Sequence, residues 1–238
     1  MSPFLAEFIG TMFIIVLGNG VVANVLLNKS KGQNGGWIVI SFGWAIAVFV
    51  GVYSSASVSG AHLNPAVTIA LAVLEKFSWA DVPMYIIAQF AGAMTGSFLM
   101  WLIYKQHFDA TTDTDAKLGI FCTGPGIRNY FYNFITETVA TFVFVLGVLF
   151  IAAPNQSLGS LDALPVALLV LGIGLSLGGP TGYAINPARD LGPRIMHFFL
   201  PLGVKRNSDW SYSWIPVTAP ITGAILAGLL WKMISWLH

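Results

Sequence analysis

The tripeptide Asn-Pro-Ala occurs twice in this chain, at Asn64-Pro65-Ala66 and at Asn186-Pro187-Ala188, and each copy follows a glycine by four residues, Gly60 and Gly182. Asn before Pro is the grammar of a helix start. The Asn side chain caps free N–H groups of the first turn, and Pro at the first helical position gives up no hydrogen bond that the helix would have made. One copy would be a weak signal. Two copies, each opening a short apolar segment, make the chain two related parts of one duplicated design.

The chain around them is too apolar for an ordinary soluble domain. Of its 238 residues 56% are hydrophobic and only 9% charged, where soluble domains carry roughly 25% charged residues. The mean hydropathy is +0.76. A membrane protein follows. A net charge of +1 provides no field for nucleic acid, and no basic run or aromatic-basic platform is present, so that class of partner is excluded. The lone Cys122 makes no internal disulfide, and Cys122, His62, His107, His197 and His238 show no metal-site spacing, so no metal and no cofactor is expected. The apolar N-terminus lacks a basic region ahead of it and reads as a first membrane helix, not a cleaved signal.

At roughly 20 apolar residues per crossing, six long segments begin near Phe4, Trp37, Val82, Phe131, Leu161 and Trp214. Segments opening at Pro65 and Pro187 run only about 10 to 14 residues and fit re-entrant half-helices. The polar connectors are Asn28 to Gly36, about Lys105 to Tyr130, Pro154 to Gly159, and Val204 to Ser211, none long enough for a second domain. Residues 1–238 therefore form one membrane domain: a first repeat over about 1–105, a connecting loop over about 106–130 and a second repeat over about 131–238. Glu7, Gly10 and Thr11 match Glu137, Ala140 and Thr141, and Gly92-Ala93 matches Gly223-Ala224. A unit of three spans plus a half-helix has an odd number of crossings, so its second copy enters from the opposite side, giving an inverted repeat in which the half-helices meet. The expected fold is an all-α membrane bundle of six transmembrane helices and two half-helices.

The physics of such a site follows from its parts. Each half-helix carries roughly half a positive charge at its N-terminus, so two facing ends repel cations, hydronium included. Asn64 and Asn186 bring amide donors to the same place, and carbonyls of the nonhelical residues Gly60, Ala61, His62 and Leu63, and of Tyr183, Ala184 and Ile185, supply acceptors. Nonhelical backbone is tolerated at membrane depth where it lines a wet cavity. Donors and acceptors in one line suit neutral hydroxyl-bearing solutes. Arg189 is costly in an apolar setting unless it serves the pore or is paired; its alternative is a snorkelling surface cation. Glu7 and Glu137 read either as proton-coupling carboxylates or as acceptors for the orphan backbone of the re-entrant loops. His62 reads as a pH gate or as a pore-lining hydrogen-bonding group.

Ser59-Gly60-Ala61-His62-Leu63-Asn64-Pro65-Ala66-Val67-Thr68 and Gly182-Tyr183-Ala184-Ile185-Asn186-Pro187-Ala188-Arg189-Asp190 resemble the two signature loops of the major intrinsic protein family, the aquaporins and glycerol facilitators. The resemblance covers nearly the whole chain. Asp190 directly after Arg189, Arg194, and Pro216-Val217 resemble the glycerol-facilitator branch. The resemblance implies a selectivity filter of Trp44, Gly174, Tyr183 and Arg189, with Trp44 and Tyr183 as an apolar corner, Arg189 on the hydroxyl side and Gly174 contributing empty space. Water-selective relatives usually have His where Gly174 stands; facilitators often have Phe where Tyr183 stands. The resemblance favours the structural role for Glu7 and Glu137, and Asp190 is read as holding open the loop after Arg189.

The resemblance also implies a homotetramer with a pore in each subunit, lying in the cell membrane with both termini cytoplasmic. The distribution of Lys and Arg points to the opposite orientation: Lys29, Lys31, Lys105, Lys117, Arg128, Lys205 and Arg206 would then be external. The expected function is a passive channel, not an enzyme, passing glycerol and water, with urea, hydrogen peroxide or undissociated small acids such as lactic acid, and excluding protons and ions. A water-selective pore and a gradient-coupled transporter, which also uses inverted repeats, are the rival readings.

Overall fold

In a computed structural model, residues 1–152 and 161–236 are described, and these are helical with no strand among them. The first repeat holds α1 (Pro3–Leu26), α2 (Gly36–Ser59), the half-helix α3 (Pro65–Val73) and α4 (Val82–Ala110). A short helix α5 (Thr114–Phe121) follows, and the second repeat holds α6 (Tyr130–Ile151), α7 (Ala163–Ser176), the half-helix α8 (Pro187–Phe199) and α9 (Ile215–Trp236).

Five of these, α1, α2, α4, α6 and α9, are long and apolar enough to cross a membrane. The segment expected from Leu161 is shorter than the rest. Helix α7 has 14 residues, about 21 Å at ~1.5 Å per residue. It is stopped by Gly178-Gly179-Pro180, where a proline without an N–H cannot continue the helix. The expected connector Pro154 to Gly159 lies outside the described residues. The connector expected over about 106–130 is more ordered than a loop: α4 runs on to Ala110, and α5 starts behind Asp113, whose carboxylate accepts from the N–H groups of Asp115 and Ala116.

The repeat is visible in the packing. Helix α1 packs on α2 and α4 as α6 packs on α7 and α9, and each half-helix crosses to the other half, α3 against α9 and α8 against α4. A Cβ on Gly92 would lie 2.3 Å from the Phe8 carbonyl oxygen, and one on Gly223 would lie 2.2 Å from that of Thr138. Both glycines therefore bring two helix backbones into direct contact, as packing in lipid requires.

Two faces can be told apart. Asn28 bonds the Ala110 carbonyl and the Thr111 hydroxyl, joining the α1–α2 and α4–α5 connections, and Arg128 pairs with Asp209 on the same face. On the other face Lys232 pairs with Glu75, and Lys76 lies over the Trp231 ring.

Candidate functional site

Both half-helices start as the Asn-Pro signature predicts. The Asn64 side-chain oxygen accepts from the Ala66 N–H at 2.9 Å, and that of Asn186 accepts from Ala188 at 3.0 Å and Arg189 at 3.2 Å. The amide nitrogens then cross the molecule. Asn64 Nδ2 donates to the Ile185 carbonyl at 2.9 Å and Asn186 Nδ2 to the Leu63 carbonyl at 2.8 Å. Part of the donor and acceptor capacity expected for the solute is therefore used within the protein. One N–H of each amide, and one lone pair each on Leu63 and Ile185, bolt the two half-helices together, and a second N–H on each amide remains.

The two glutamates anchor the loops from behind. Glu7 accepts from the Ser59 hydroxyl (2.6 Å), the His62 N–H (2.9 Å), the Leu63 N–H (2.7 Å) and the Gln89 amide (2.8 Å). Glu137 accepts from the Thr181 hydroxyl (2.6 Å), the Ala184 N–H (3.0 Å) and the Ile185 N–H (3.1 Å). Both side chains are fully buried, and their named donors are all hydroxyls, amides and loop N–H groups packed around them. In a trans peptide the N–H and C=O point opposite ways. Drawing the N–H groups of His62, Leu63, Ala184 and Ile185 to the glutamates therefore turns the carbonyls of Ala61, His62, Tyr183 and Ala184 away from them.

The backbone carries strain to achieve this. Ala61, Leu63, Tyr183 and Ile185 have φ of 50°, 51°, 39° and 45°, beside Gly60 at 80° and Gly182 at 88°. Left-handed conformations in residues with a Cβ cost on the order of 1 kcal/mol or more each. They recur at matching positions of both loops, where the buried glutamates hold them.

A cavity of about 360 Å³ runs past these loops. Trp44, Tyr183 and Arg189 line it, as do Asn64, Asn186 and the loop residues from Gly60 to Leu63 and from Tyr183 to Ile185; Ala152 and Asp162 also line it. The Arg189 guanidinium carbon lies 4.0 Å from the Trp44 ring centroid, a cation–π contact, and its Nη1 is buried without a hydrogen-bond partner. Arg189 is 7% exposed and lines the cavity, so it is not a snorkelling surface cation.

Gly174 departs from its expected part. It is not among the cavity-lining residues. A Cβ there would lie 3.0 Å from Tyr183 Cζ and 3.1 Å from Tyr183 Oη, and its carbonyl accepts from Trp37 Nε1 at 2.8 Å. The space that Gly174 leaves is taken by the Tyr183 ring, which Trp37 meets edge-on with centroids 5.8 Å apart. An empty-space role assumed that the volume stays with the pore; an aromatic side chain from the adjoining loop fills it instead.

His62 Nδ1 and Thr68 Oγ1 lie 3.1 Å apart, and its ring packs against Phe77 and Tyr85 with centroids at 4.7 and 4.8 Å. Asp190 is fully buried, accepting from the Thr123 N–H (2.7 Å) and hydroxyl (2.6 Å) and pairing with Arg194 at 2.9 Å. Arg194 in turn donates to the carbonyls of Thr123, Ser208 and Asp209. Asp190 thus ties the base of α8 to both flanking connectors. Outside the membrane segments, burial lowers the pKa of Lys117 and Lys205. Both ammonium groups are satisfied by carbonyls, Lys117 by Leu202 and Val204, and Lys205 by His197, Phe198 and Leu200 at the end of α8.

Residues 1–231 match the family described as Major intrinsic protein. The chain belongs to the major intrinsic protein family. It is 56% identical over 237 residues to a probable glycerol uptake facilitator protein of Thermotoga maritima, covering 100% of both chains. It is 54% identical to glycerol uptake facilitator protein 3 of Lactiplantibacillus plantarum, over 97% of this chain and 95% of the relative. Among solved structures, the aquaglyceroporin from Plasmodium falciparum superposes with a TM-score of 0.84 at 31% identity, covering 96% of this chain and 93% of that one.

Sequence reasoning missed several working parts of this major intrinsic protein. Ser59, Gln89 and Thr181 complete the glutamate anchors, and Trp37 backs Tyr183. Gln89 alone had a signal, being an uncharged polar side chain deep in an apolar span.

Proposed function

We infer that the chain is a passive membrane channel for glycerol and other small neutral solutes, water among them. The observation that carries this is the single cavity on which both Asn-Pro-Ala loops, Arg189 and two aromatic rings converge. Carbonyls on one side and apolar rings on the other match a solute with hydroxyls along a carbon chain. The facing N-termini of α3 and α8 disfavour cations, protons included. Urea, hydrogen peroxide and undissociated lactic acid have the size and neutrality to share the path.

Within the cavity Trp44, Tyr183 and Arg189 form the selectivity filter, with Gly174 acting through Tyr183. The rings of Trp44 and Tyr183 contact the carbon skeleton while the unpartnered Nη1 of Arg189 donates to a hydroxyl. The cavity reaches both Asn-Pro-Ala loops within the one chain, so a pore is drawn through each subunit. The assembly is a homotetramer with a pore in each subunit, and the exposed Ile38, Phe42 and Ile46 on α2 give it apolar surface to bury against lipid or neighbours. The termini are cytoplasmic and the membrane is the cell membrane. Five of the seven cations that oppose this orientation have structural partners on their face: Lys117 and Lys205 bind carbonyls, and Lys105, Arg128 and Arg206 pair with Asp109, Asp209 and Asp115.

Stopped-flow light scattering on proteoliposomes tests the reading, comparing water, glycerol, urea and undissociated lactic acid with protein-free vesicles. Nonsaturating glycerol entry without an ion gradient is expected. Saturable, gradient-dependent uptake would replace the channel with a transporter. A second reading, a water-selective pore, is favoured by Tyr183 filling the space beside Gly174, and it predicts water flux without glycerol flux.

A further inference from the structure

Gly18 lies on α1, away from both signature loops, and is buried. A Cβ at this position would stand 2.3, 2.4 and 2.5 Å from Cζ3, Cε3 and Cη2 of Trp44. Every one of these atoms belongs to a rigid indole, which has no flexible end to yield. The α1–α2 pair is equally tight elsewhere. A Cβ on Gly51 would lie 2.6 Å from Ile14 and 2.9 Å from the Gly10 carbonyl, and one on Gly43 would lie 2.5 Å from Val21. The helices are locked together along their length and cannot part at one residue.

We propose that Gly18 is a specificity-determining positioning residue: its missing side chain is a notch that holds the Trp44 ring back against α1, and this setback fixes the width of the passage beside Arg189. The inference rests on the reading of Trp44 and Arg189 as the filter. Trp44 has Gly18 behind it, the cavity in front and the Arg189 guanidinium over its ring. To bring the shortest contact from 2.3 Å to an ordinary 3.4 Å, the ring must retreat 3.4 − 2.3 = 1.1 Å. With the helices locked, that retreat goes into the passage and carries Arg189 with it. A three-carbon polyol needs the lost width; water does not.

The experiment is stopped-flow permeability of proteoliposomes holding full-length wild type, Gly18→Ala, Trp44→Phe, Gly18→Ala/Trp44→Phe and, as a packing control, Gly147→Ala, whose Cβ would meet Leu169 at 2.6 Å on another helix pair. Gly18→Ala is expected to lower glycerol permeability about tenfold while water changes by less than about twofold. The double variant, with a smaller ring over the filled notch, regains glycerol flux, and Gly147→Ala leaves the ratio unchanged. Equal loss of glycerol and water flux in Gly18→Ala overturns the proposal, as does a double variant that keeps the glycerol defect. If Gly18→Ala fails to fold, a folded, conducting double variant supports the clash with the ring, and failure of both variants to fold overturns it. If Trp44→Phe leaves all solute ratios at wild-type values, the filter reading itself falls. Altered ratios in Trp44→Phe with normal ratios in Gly18→Ala remove only the role of Gly18.

Discussion

The loop at residues 60–64 and the loop at residues 182–186 are built on one plan. Each begins with a left-handed glycine, alternates two further residues at positive φ, hands two N–H groups to a buried glutamate, and ends on an Asn that caps its own half-helix while bonding the opposite loop. Their side chains differ, Ala61 standing where the second loop has Tyr183, and they differ in charge three residues after each Asn. The first half has Val67, the second Arg189, and both line the cavity. The residue after that is Thr68 in one, bonded to the Asn64 carbonyl, His62 and the Gln89 amide of α4, and Asp190 in the other, tied through Arg194 to two connectors. The shared parts hold the backbone in place, and the unshared parts carry charge. A duplicated frame can therefore be kept symmetric for stability while one end alone carries the charged groups that the proposed filter uses.

The largest expected effect breaks the shared part. Glu7→Ala or Glu137→Ala leaves two loop N–H groups buried without acceptors, at a cost of about 3 kcal/mol or more. Denaturant titration of the detergent-solubilised protein should show comparable destabilisation for both. A mild effect in one half alone would show that the two anchors are not equivalent.

A second effect sharpens the unshared part. Arg189→Val copies the first loop into the second and removes both the guanidinium and its bulk. The permeability of a four-carbon polyol relative to glycerol is expected to rise about tenfold, equivalent to ~1.4 kcal/mol of barrier. Val67→Ala at the matching position should move that ratio by less than about twofold. Equal responses at the two positions would dissolve the asymmetry.

The smallest effect is acid-dependent and touches only the second loop's outer support. Burial is the largest single influence and would raise the Asp209 carboxyl, but Arg128, the Ser211 hydroxyl and Arg194 together outweigh it and hold the group below its ordinary 3.8. A depressed folded value means that the stabilisation is complete above the ordinary value and is lost as pH falls through the folded one. Arg128 is 40% exposed, so solvent screening keeps the loss under ~1 kcal/mol. Melting curves at about pH 5 and pH 3 should show this increment in the wild type and not in Asp209→Asn.

Much of the fold was legible because its signals are local. An Asn-Pro start needs only its own first turn, an apolar run announces a span by its length, and Glu7 and Glu137 recur at matching places in the repeat. The site was legible in part. Trp44, Tyr183 and Arg189 line one cavity, whereas Gly174 does not, because the volume a glycine leaves can be claimed by any neighbour. Helix α5 was hidden in a polar connector, where no apolar periodicity marks it.

An apolar duplicated chain, two half-helices opened by Asn64 and Asn186, and two carboxylates at matching places of the repeat are written in the order of residues. Caps and periodicity are written within a few residues of where they act. Only the tertiary structure decided that each Asn reaches across to the other loop, that Tyr183 fills the space beside Gly174, and that Gly18 backs Trp44. Those contacts join segments as much as 123 residues apart, and whether two such groups meet depends on how whole helices pack, which no local pattern encodes.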